Sequence, residues 1–249
     1  MEQRPLYIAS CSFGKDSIAT ILLALEHNEP LDRAVFAEVM FDNERGISGE
    51  IPEHIEWIYS TAIPKLEAMG VKVDIVKTDD YISRFYLVKG EKASPQYRGK
   101  LYGWVLPDKC QMKKMKLRVI HKYYKQIKGN VVEYVGIALD EQKRLSKFDQ
   151  ERKVSLLVKY GYTEAMAIEK CKQYGLLSPL YELEKRNGCW FCPNGNDERF
   201  KRLYTKYPHL WGALEALSKV GNLSSNVFKY NQTFSEYADK IKTMQLTLF

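Results

Sequence analysis

The chain has 249 residues, 45% of them hydrophobic, and a formal net charge of +7. This length is enough to bury a sizeable core and predicts one large domain or one domain with an appendage. The sequence contains no apolar run of membrane-spanning length and no signal-peptide pattern before the first predicted strand, so we expect a cytoplasmic protein without membrane association. Five cysteines without an export signal indicate reduced thiols, available to a metal or for redox chemistry, and argue against a disulfide scaffold.

The first predicted elements are a strand over residues 6–10 and a helix that follows almost at once. The helix is indicated by an apolar stripe at helical spacing, formed by Ile18, Ile21, Leu22 and Leu25. Between them lies the polar loop 12–17, Ser-Phe-Gly-Lys-Asp-Ser. Such a loop directs backbone N–H groups and the positive end of a helix dipole at one point, and its small residues let an anion approach closely. The pattern predicts a phosphate-binding loop, and an ordinary capped turn is the alternative.

The following segments alternate between strand and helix patterns. They comprise a strand over 34–40, a helix over 52–69 kinked at Pro64, a strand over 71–76, a basic helix over 111–127 and a strand over 131–137. This alternation predicts an α/β fold with a doubly wound, parallel sheet of about five strands. Residues 77–109 show little periodicity and predict a functional loop or lid.

The remaining chain reads as helical. Thr163 caps a helix that runs to Tyr174, and further helices are expected over 198–207, 210–219 and 233–244. We therefore predict a nucleotide-binding α/β domain over 1–160, a helical region with metal-binding cysteines over 161–244, and a short tail over 245–249.

The positive charge is concentrated in one segment. Residues 96–128 contain ten lysines and arginines against a single acid, interleaved with tyrosines and a tryptophan. Basic residues between aromatic ones suit a nucleic acid or an anionic nucleotide. The alternative is a solvated helix face, which we favour for Lys122, Lys125 and Lys128.

The loop 12–17 resembles the SGGxDS-type pyrophosphate loop of the N-type ATP pyrophosphatases, the adenine nucleotide alpha-hydrolase-like group. Its local pattern is most similar to the SxGKDS loop of the phosphoadenosine phosphosulfate reductase family, and Phe13 replaces the first glycine. The resemblance implies ATP or a related adenine nucleotide with Mg²⁺, and Lys15 and Asp16 as catalytic residues. The implied nucleotide-binding residues are Ser10, Ser12, Phe13, Gly14, Lys15, Asp16, Ser17, Gly136 and Glu141.

A second segment, 136–144, is similar to the family's GxRxxES..R pattern. By this resemblance Glu141 and Arg144 face the nucleotide, with Arg144 in a catalytic role. Ala138 stands where arginine is usual, and no cysteine follows Cys192, although the reductases attack sulfate with a C-terminal cysteine. Both departures argue against sulfate reduction. Alternatively, these charges simply cap the strand and begin a solvated loop.

Two cysteines, Cys189 and Cys192, lie two residues apart on a turn and can direct both sulfurs at one centre. Their GCWFC arrangement resembles the cysteine cluster of iron–sulfur members of the superfamily, including the ATPase component of DNA phosphorothioation. We predict four metal ligands: Cys110, Cys171, Cys189 and Cys192. A [4Fe–4S] cluster, a zinc ion and a redox or free thiol pair all remain open, while Cys11 is expected to pack beneath the loop as a small buried hydrophobe.

The last five residues, Gln245–Phe249, look like the QLxLF peptide by which bacterial proteins dock on the DNA polymerase sliding clamp. A tail that folds back on its own core is the alternative. Together the motifs predict an ATP-binding enzyme that adenylates a substrate and releases pyrophosphate, coupled to sulfur transfer or nucleic-acid modification. The alternatives are a phosphoadenosine phosphosulfate reductase-like sulfonucleotide-binding protein and a non-catalytic nucleotide-binding protein tethered to the clamp.

Overall fold

The structure is a computed structural model that describes residues 4–104, 110–146 and 152–246. The chain forms two compact units. The first comprises Met1–Glu38, Pro52–Thr78 and Lys116–Asn187, and the second comprises Val39–Ile51, Asp79–Met115 and Gly188–Phe249.

The described strands are β1 (Leu6–Ser10), β2 (Arg33–Asp42), β3 (Ile47–Ser48), β4 (Val73–Asp80), β5 (Val131–Val135) and β6 (Lys153–Val154). The helices of the first half are α1 (Lys15–Glu26), α2 (Pro52–Trp57), α3 (Ile63–Ala68), α4 (Tyr81–Tyr86) and α5 (Gln111–Lys125). Those of the second half are α6 (Gln142–Leu145), α7 (Leu156–Lys159), α8 (Glu164–Gln173), α9 (Leu180–Leu183), α10 (Asp197–Lys206), α11 (Pro208–Ser218) and α12 (Phe234–Leu246).

In the first unit, β1 lies between β2 and β5 and is parallel to both. Ala9 is the register partner of Ala34 on one side and of Tyr134 on the other. β6 continues the sheet parallel to β5, and β4 pairs with β2. The chain adds β2 on one side of β1 and later returns to add β5 on the other, which makes the carboxyl ends of β1 and β5 a topological switch point. The predicted α/β fold with a mostly parallel sheet is confirmed.

Helices cover both faces of this sheet, as a doubly wound fold requires. Ile8 packs with Val35 and with Ile120 of α5 on one face. The next residue along β1, Ala9, belongs to the larger core on the other face, which includes residues of α1, α7 and α8. Successive side chains of a strand point to opposite faces, so β1 contributes to both cores.

The predicted domain boundary at residue 160 falls inside the first unit. The reason is that α8 packs against α1. Its residues Ala167 and Cys171 are fully buried in the same core as Ala9. Distance along the chain therefore does not predict the boundary between the two units.

Asp74 of β4 links helix α5 to the sheet through hydrogen bonds. Its carboxylate accepts hydrogen bonds from Arg33 of β2, at 2.9 Å, and from the Tyr123 hydroxyl of α5. Burial raises the pKa of Asp74, but the hydrogen bonds from Tyr123 and Arg33 outweigh burial, so the pKa lies below its ordinary value. This group stabilises the folded chain as long as the carboxyl is ionised.

The long helix predicted over 52–69 is divided into α2, a π-helical turn (Ile58–Ala62) and α3. The π-helical turn ends at Ala62, two residues before Pro64. Proline has no N–H to donate to the carbonyl four residues back, and a wider turn is one way in which a helix accommodates this loss. Gly70, with φ of +84°, follows the helix at its predicted boundary.

The second unit contains the end of β2, which pairs antiparallel with β3, so that Met40 lies opposite Ser48. Helices α10, α11 and α12 pack on one another, with an aromatic core that includes Trp104, Phe228 and Phe234. Of the stretch 77–109, predicted as a functional loop or lid, residues 105–109 lie outside the described ranges and residues 87–104 are mostly irregular, but its first part forms the end of β4 and helix α4. This helix is too short for its period to be visible in sequence, although Asp80 caps it through the Ser83 N–H. None of the helices in the described ranges is both long and apolar enough to cross a membrane.

Candidate nucleotide-binding site

The loop between β1 and α1 has a strained backbone at Phe13. Its φ is +55°, in the left-handed region that side chains other than glycine rarely adopt. The Phe13 side chain is 1% exposed, and its ring packs edge-on against Phe36 with the centroids 5.1 Å apart. Burial of this ring offsets the backbone strain, because an aromatic side chain buries a large apolar area. Phe13 therefore anchors the loop and does not present its side chain to a ligand.

Two polar side chains from distant parts of the chain contact the Ser12 carbonyl, and a third contacts one of these two. Asn187 Nδ2 donates to this oxygen at 3.1 Å, and His54 Nε2 lies 3.3 Å from it. His54 is fully buried, and its Nδ1 lies 2.9 Å from the Ser178 hydroxyl. The Ser12 side chain itself is exposed. Sequence reasoning missed these three positioning residues because isolated polar residues form no local pattern.

Two side-chain hydroxyls of α1 donate hydrogen bonds to backbone carbonyls at the start of the helix. The Ser17 hydroxyl donates to the Gly14 carbonyl at 2.9 Å, and the Thr20 hydroxyl donates to the Asp16 carbonyl at 2.8 Å. Ser17 is buried, so it supports the turn. Ser10, at the end of β1, is half-buried and lies in register with Val35 and Val135.

Tyr181 occupies the N-terminal end of α1. Its hydroxyl accepts the Lys15 backbone N–H at 2.9 Å. A Cβ atom at Gly14 would lie 3.2 Å from this hydroxyl and 3.3 Å from Asn187 Nδ2, so the position has little room for a side chain. The helix has twelve residues, and the positive end of its dipole favours an anion at this point.

The Lys15 ammonium group lies inside a cluster of carboxylates. It is 2.8 Å from both oxygens of Asp16 and 2.5 Å from Glu164 of α8. Burial lowers the pKa of Lys15, but the two carboxylates raise it more strongly, and the net pKa is raised. Burial also raises the pKa of Asp16, and Glu164 and Glu141 add to this effect while Lys15 opposes it. Lys15 thus remains charged at neutral pH and is held in one position.

The segment after β5 lies directly against this loop. A Cβ atom at Gly136 would lie 2.7 Å from the Asp16 carbonyl carbon and 2.7 Å from the Ser17 nitrogen. Only glycine permits this approach without displacing the backbone. The structure thereby brings together two segments that sequence motifs had linked to one nucleotide.

Glu141 and Arg144 form an ion pair beside Gly136. Their side chains approach to 2.7 Å, and Arg144 also donates to the Gly136 carbonyl at 3.4 Å. The Glu141 carboxylate accepts the Ala138 N–H at 3.1 Å. Ala138 is fully buried in the core, so this position offers no exposed site for the arginine of the family pattern.

Two cysteines of the first unit are buried beneath the loop. Cys11 is 3% exposed, its sulfur accepts the Phe13 N–H at 3.4 Å, and burial raises its pKa to about 11. The prediction that Cys11 packs there is confirmed. The Cys171 thiol is fully buried and donates to the Lys15 carbonyl at 3.2 Å, and burial raises its pKa to about 12. Metal ligation by Cys171 stays a prediction, and in this structure its thiol packs beneath the loop.

In the second unit, Cys189 and Cys192 lie on one tight turn, as their spacing predicted. The Cys192 N–H donates to the Cys189 carbonyl at 3.2 Å, and both residues are half-buried. Two buried cations hold this turn: Arg199 donates to the Cys189 carbonyl at 3.2 Å, and Lys229 donates to the Gly195 carbonyl.

The four predicted metal ligands are divided between the two units. Cys110 is exposed and belongs to the second unit, whereas Cys171 belongs to the first. Among the histidine, cysteine, aspartate and glutamate residues of the described ranges, no three lie close enough to hold a metal ion. The cysteine turn supplies two thiols, which is half the ligand set of a [4Fe–4S] cluster or a structural zinc ion, and the described residues do not complete either site.

Helix α5 carries the predicted basic surface, with Lys113, Lys114, Lys122 and Lys125 exposed. Lys109, in the same predicted segment, lies outside the described residues. The last three residues of the predicted clamp-binding tail, 247–249, also lie outside them, while Gln245 and Leu246 are part of α12.

Neither a protein-family profile nor a curated protein matches this sequence. Among solved structures, the chain is similar to the U34-tRNA thiolase NcsA from Methanococcus maripaludis, which was solved with its [4Fe–4S] cluster. The identity is 14%, the match covers 90% of this chain and 78% of that chain, and the TM-score is 0.43. A likeness at this level does not establish a shared family.

Proposed function

We propose that this chain is an ATP-binding enzyme that adenylates a substrate and releases pyrophosphate. The close approach of Gly136 to the Asp16–Ser17 backbone carries the proposal, because it joins the loop 12–17 and the segment 136–144 into one pocket wall. This wall lies at the carboxyl ends of β1 and β5, the edge at which parallel α/β sheets bind ligands. The N-terminus of α1 at the same edge suits a phosphate.

The reaction is a displacement at the α-phosphorus of ATP. A substrate oxygen forms a bond to this phosphorus, the bond to the α,β-bridging oxygen breaks, and pyrophosphate leaves with the electron pair. The role of the protein is to position the groups and to neutralise developing charge. Lys15 supplies a fixed cation, and Ser12 is exposed in the same loop.

Mg²⁺ bound with ATP would neutralise phosphate charge, and we assign Asp16 to hold it. Its carboxylate is 20% exposed and lies at the start of α1. Mg²⁺ commonly takes one or two protein carboxylates and obtains its other ligands from phosphates and water, so a preformed cage of acidic residues is not needed.

A second candidate is a nucleotide-binding protein that does not turn ATP over. The observation that favours it is the internal pairing of the loop: the Lys15 ammonium binds Asp16 and Glu164, and its backbone N–H is taken by Tyr181. ATP would have to displace at least one of these partners.

One pair of measurements separates the candidates. Calorimetry measures ATP binding in the presence of Mg²⁺, and chromatography identifies the products of ATP labelled at its α-phosphate after incubation with nucleic acid. Loss of the Lys15 ammonium in Lys15→Met is expected to weaken ATP binding by about 10- to 100-fold, the value of a charged hydrogen bond. The control is Lys172→Met, which removes an exposed lysine that pairs with Glu169 on α8.

Formation of an adenylated product or AMP together with pyrophosphate would support the enzyme. Binding without turnover would favour the second candidate. ADP as the product would contradict the proposed attack at the α-phosphorus, and unchanged ATP binding in Lys15→Met would contradict both. Sulfur transfer and an iron–sulfur cluster remain predictions for Cys189 and Cys192, and no step of the proposed reaction depends on them.

A further inference from the structure

A cavity of about 760 Å³ lies in the first unit, at the edge of the sheet where β5 and β6 begin. Its walls are the last turn of α5, the connection through Gly129 and Asn130, and the first residues of the two strands. Because β1, β5 and β6 are parallel, the loop 12–17 at their carboxyl ends lies at the opposite edge of the sheet. The cavity is therefore separate from the candidate ATP site.

The cavity is lined by more positive than negative charge. The lining includes three basic side chains, those of Lys125, Arg152 and Lys153, and one carboxylate, that of Glu133. The Glu133 carboxylate pairs with Lys153 at 3.1 Å. Lys125 and Arg152 form no ion pair with any other residue of the described ranges. The negative end of the α5 dipole favours a cation in the last turn of the helix, and this effect is enough to explain Lys125. Arg152 and Lys153 come from a different segment, so the dipole does not explain the convergence of all three.

Two aromatic rings, those of His121 and Tyr124, lie in the same wall as Lys125. A planar base stacks on such rings, while lysine and arginine bind its phosphate. The cavity volume falls within the range of small-molecule sites, roughly 300–1,000 Å³. We propose that this cavity binds a nucleoside phosphate, with the rings of His121 and Tyr124 beside the base and Lys125 and Arg152 at the phosphate. A free nucleotide and a nucleotide within a nucleic-acid strand share this chemistry.

The test measures binding of a fluorescein-labelled, short single-stranded oligonucleotide by anisotropy and binding of AMP by calorimetry. All variants are made in full-length Lys15→Met protein, so that the candidate ATP site contributes little. The double variant Lys125→Glu/Arg152→Glu reverses the two unpaired cations of the cavity. We expect it to weaken binding by at least about tenfold, the value of one charged hydrogen bond.

The matched control is Lys114→Glu/Lys122→Glu, which changes the net charge equally on exposed residues of α5 outside the cavity. Weakening of both ligands by the cavity variant alone supports the proposal. Weakening of the oligonucleotide alone assigns the phosphate to a strand, and weakening of AMP alone assigns it to a free nucleotide. Equal effects of the two double variants, or no effect of the cavity variant, would overturn the site. If the cavity variant does not fold, Arg152→Gln provides the same comparison with a smaller change.

Discussion

Substitution of Gly136 by alanine tests the contact on which the candidate site depends. The new Cβ would meet two backbone atoms, the Asp16 carbonyl carbon and the Ser17 nitrogen, at 2.7 Å each. These atoms cannot rotate away as a flexible side chain can, so the two segments must separate from 2.7 Å to the 3.4 Å of ordinary contact. Overpacking of this kind costs about 1–3 kcal/mol, and a chain of this size loses roughly 2–4 °C of melting temperature per kcal/mol. We expect Gly136→Ala to melt about 2–12 °C lower and to bind ATP more weakly, because the first turn of α1 is displaced.

The control for this experiment is Gly90→Ala. A Cβ at Gly90 would have no neighbour within 4 Å, and its φ is not in the left-handed region, so the substitution should leave both properties unchanged. Thermal unfolding followed by circular dichroism and ATP calorimetry provide the two readouts. If Gly136→Ala matches the wild-type chain in both, the segment 136–144 does not pack on the loop and the proposed pocket wall does not exist.

Three further outcomes follow from the described contacts. Tyr181→Phe removes the acceptor of the Lys15 N–H and should tighten ATP binding by about two- to tenfold in calorimetry, because phosphate no longer competes with the hydroxyl; weaker binding would show that Tyr181 contacts the nucleotide. The thiols of Cys11 and Cys171 should react with Ellman's reagent only after unfolding, and rapid labelling of either in the native chain would contradict their burial. Asp74→Asn should lower the free energy of unfolding by about 1–3 kcal/mol at neutral pH. This loss should shrink as the pH falls below about 4, because the carboxyl with its lowered pKa stabilises the fold only while it is ionised. A loss that is independent of pH in urea titrations would refute this.

The order of elements in the first unit could be predicted because each long element carries a complete local signal. The stripe of α1 and the run of β1 give their periods directly, and helix α8 begins after the Thr163 cap and ends next to Tyr174 as predicted. The two-residue strands β3 and β6 and the short helix α4 could not be predicted, because a period needs more residues than they contain. The two units were also invisible, since both are assembled from three separate segments of chain.

For the candidate site, sequence motifs identified the loop and the segment after β5, and the structure places them in contact. They did not identify Glu164, Tyr181 or His54, which position the loop from more than one helix and from far along the chain. Such residues are selected by tertiary contact and leave no spacing to detect. The prediction that Cys171 is a metal ligand rests on its position along the chain, whereas its burial under Lys15 follows from the packing of α8 on α1.

Phe13 bears directly on the choice between an active and a degenerate loop. In sequence, replacement of a loop glycine by phenylalanine favours degeneration, because the backbone would lose its freedom to adopt positive φ. In the structure, Phe13 nevertheless adopts a φ of +55°, and its ring is buried against Phe36 in the core shared with α1. The conformation that glycine would permit is thus retained and fixed by packing. A fixed loop loses less conformational entropy when it binds phosphate, which argues against a loop that has lost phosphate binding.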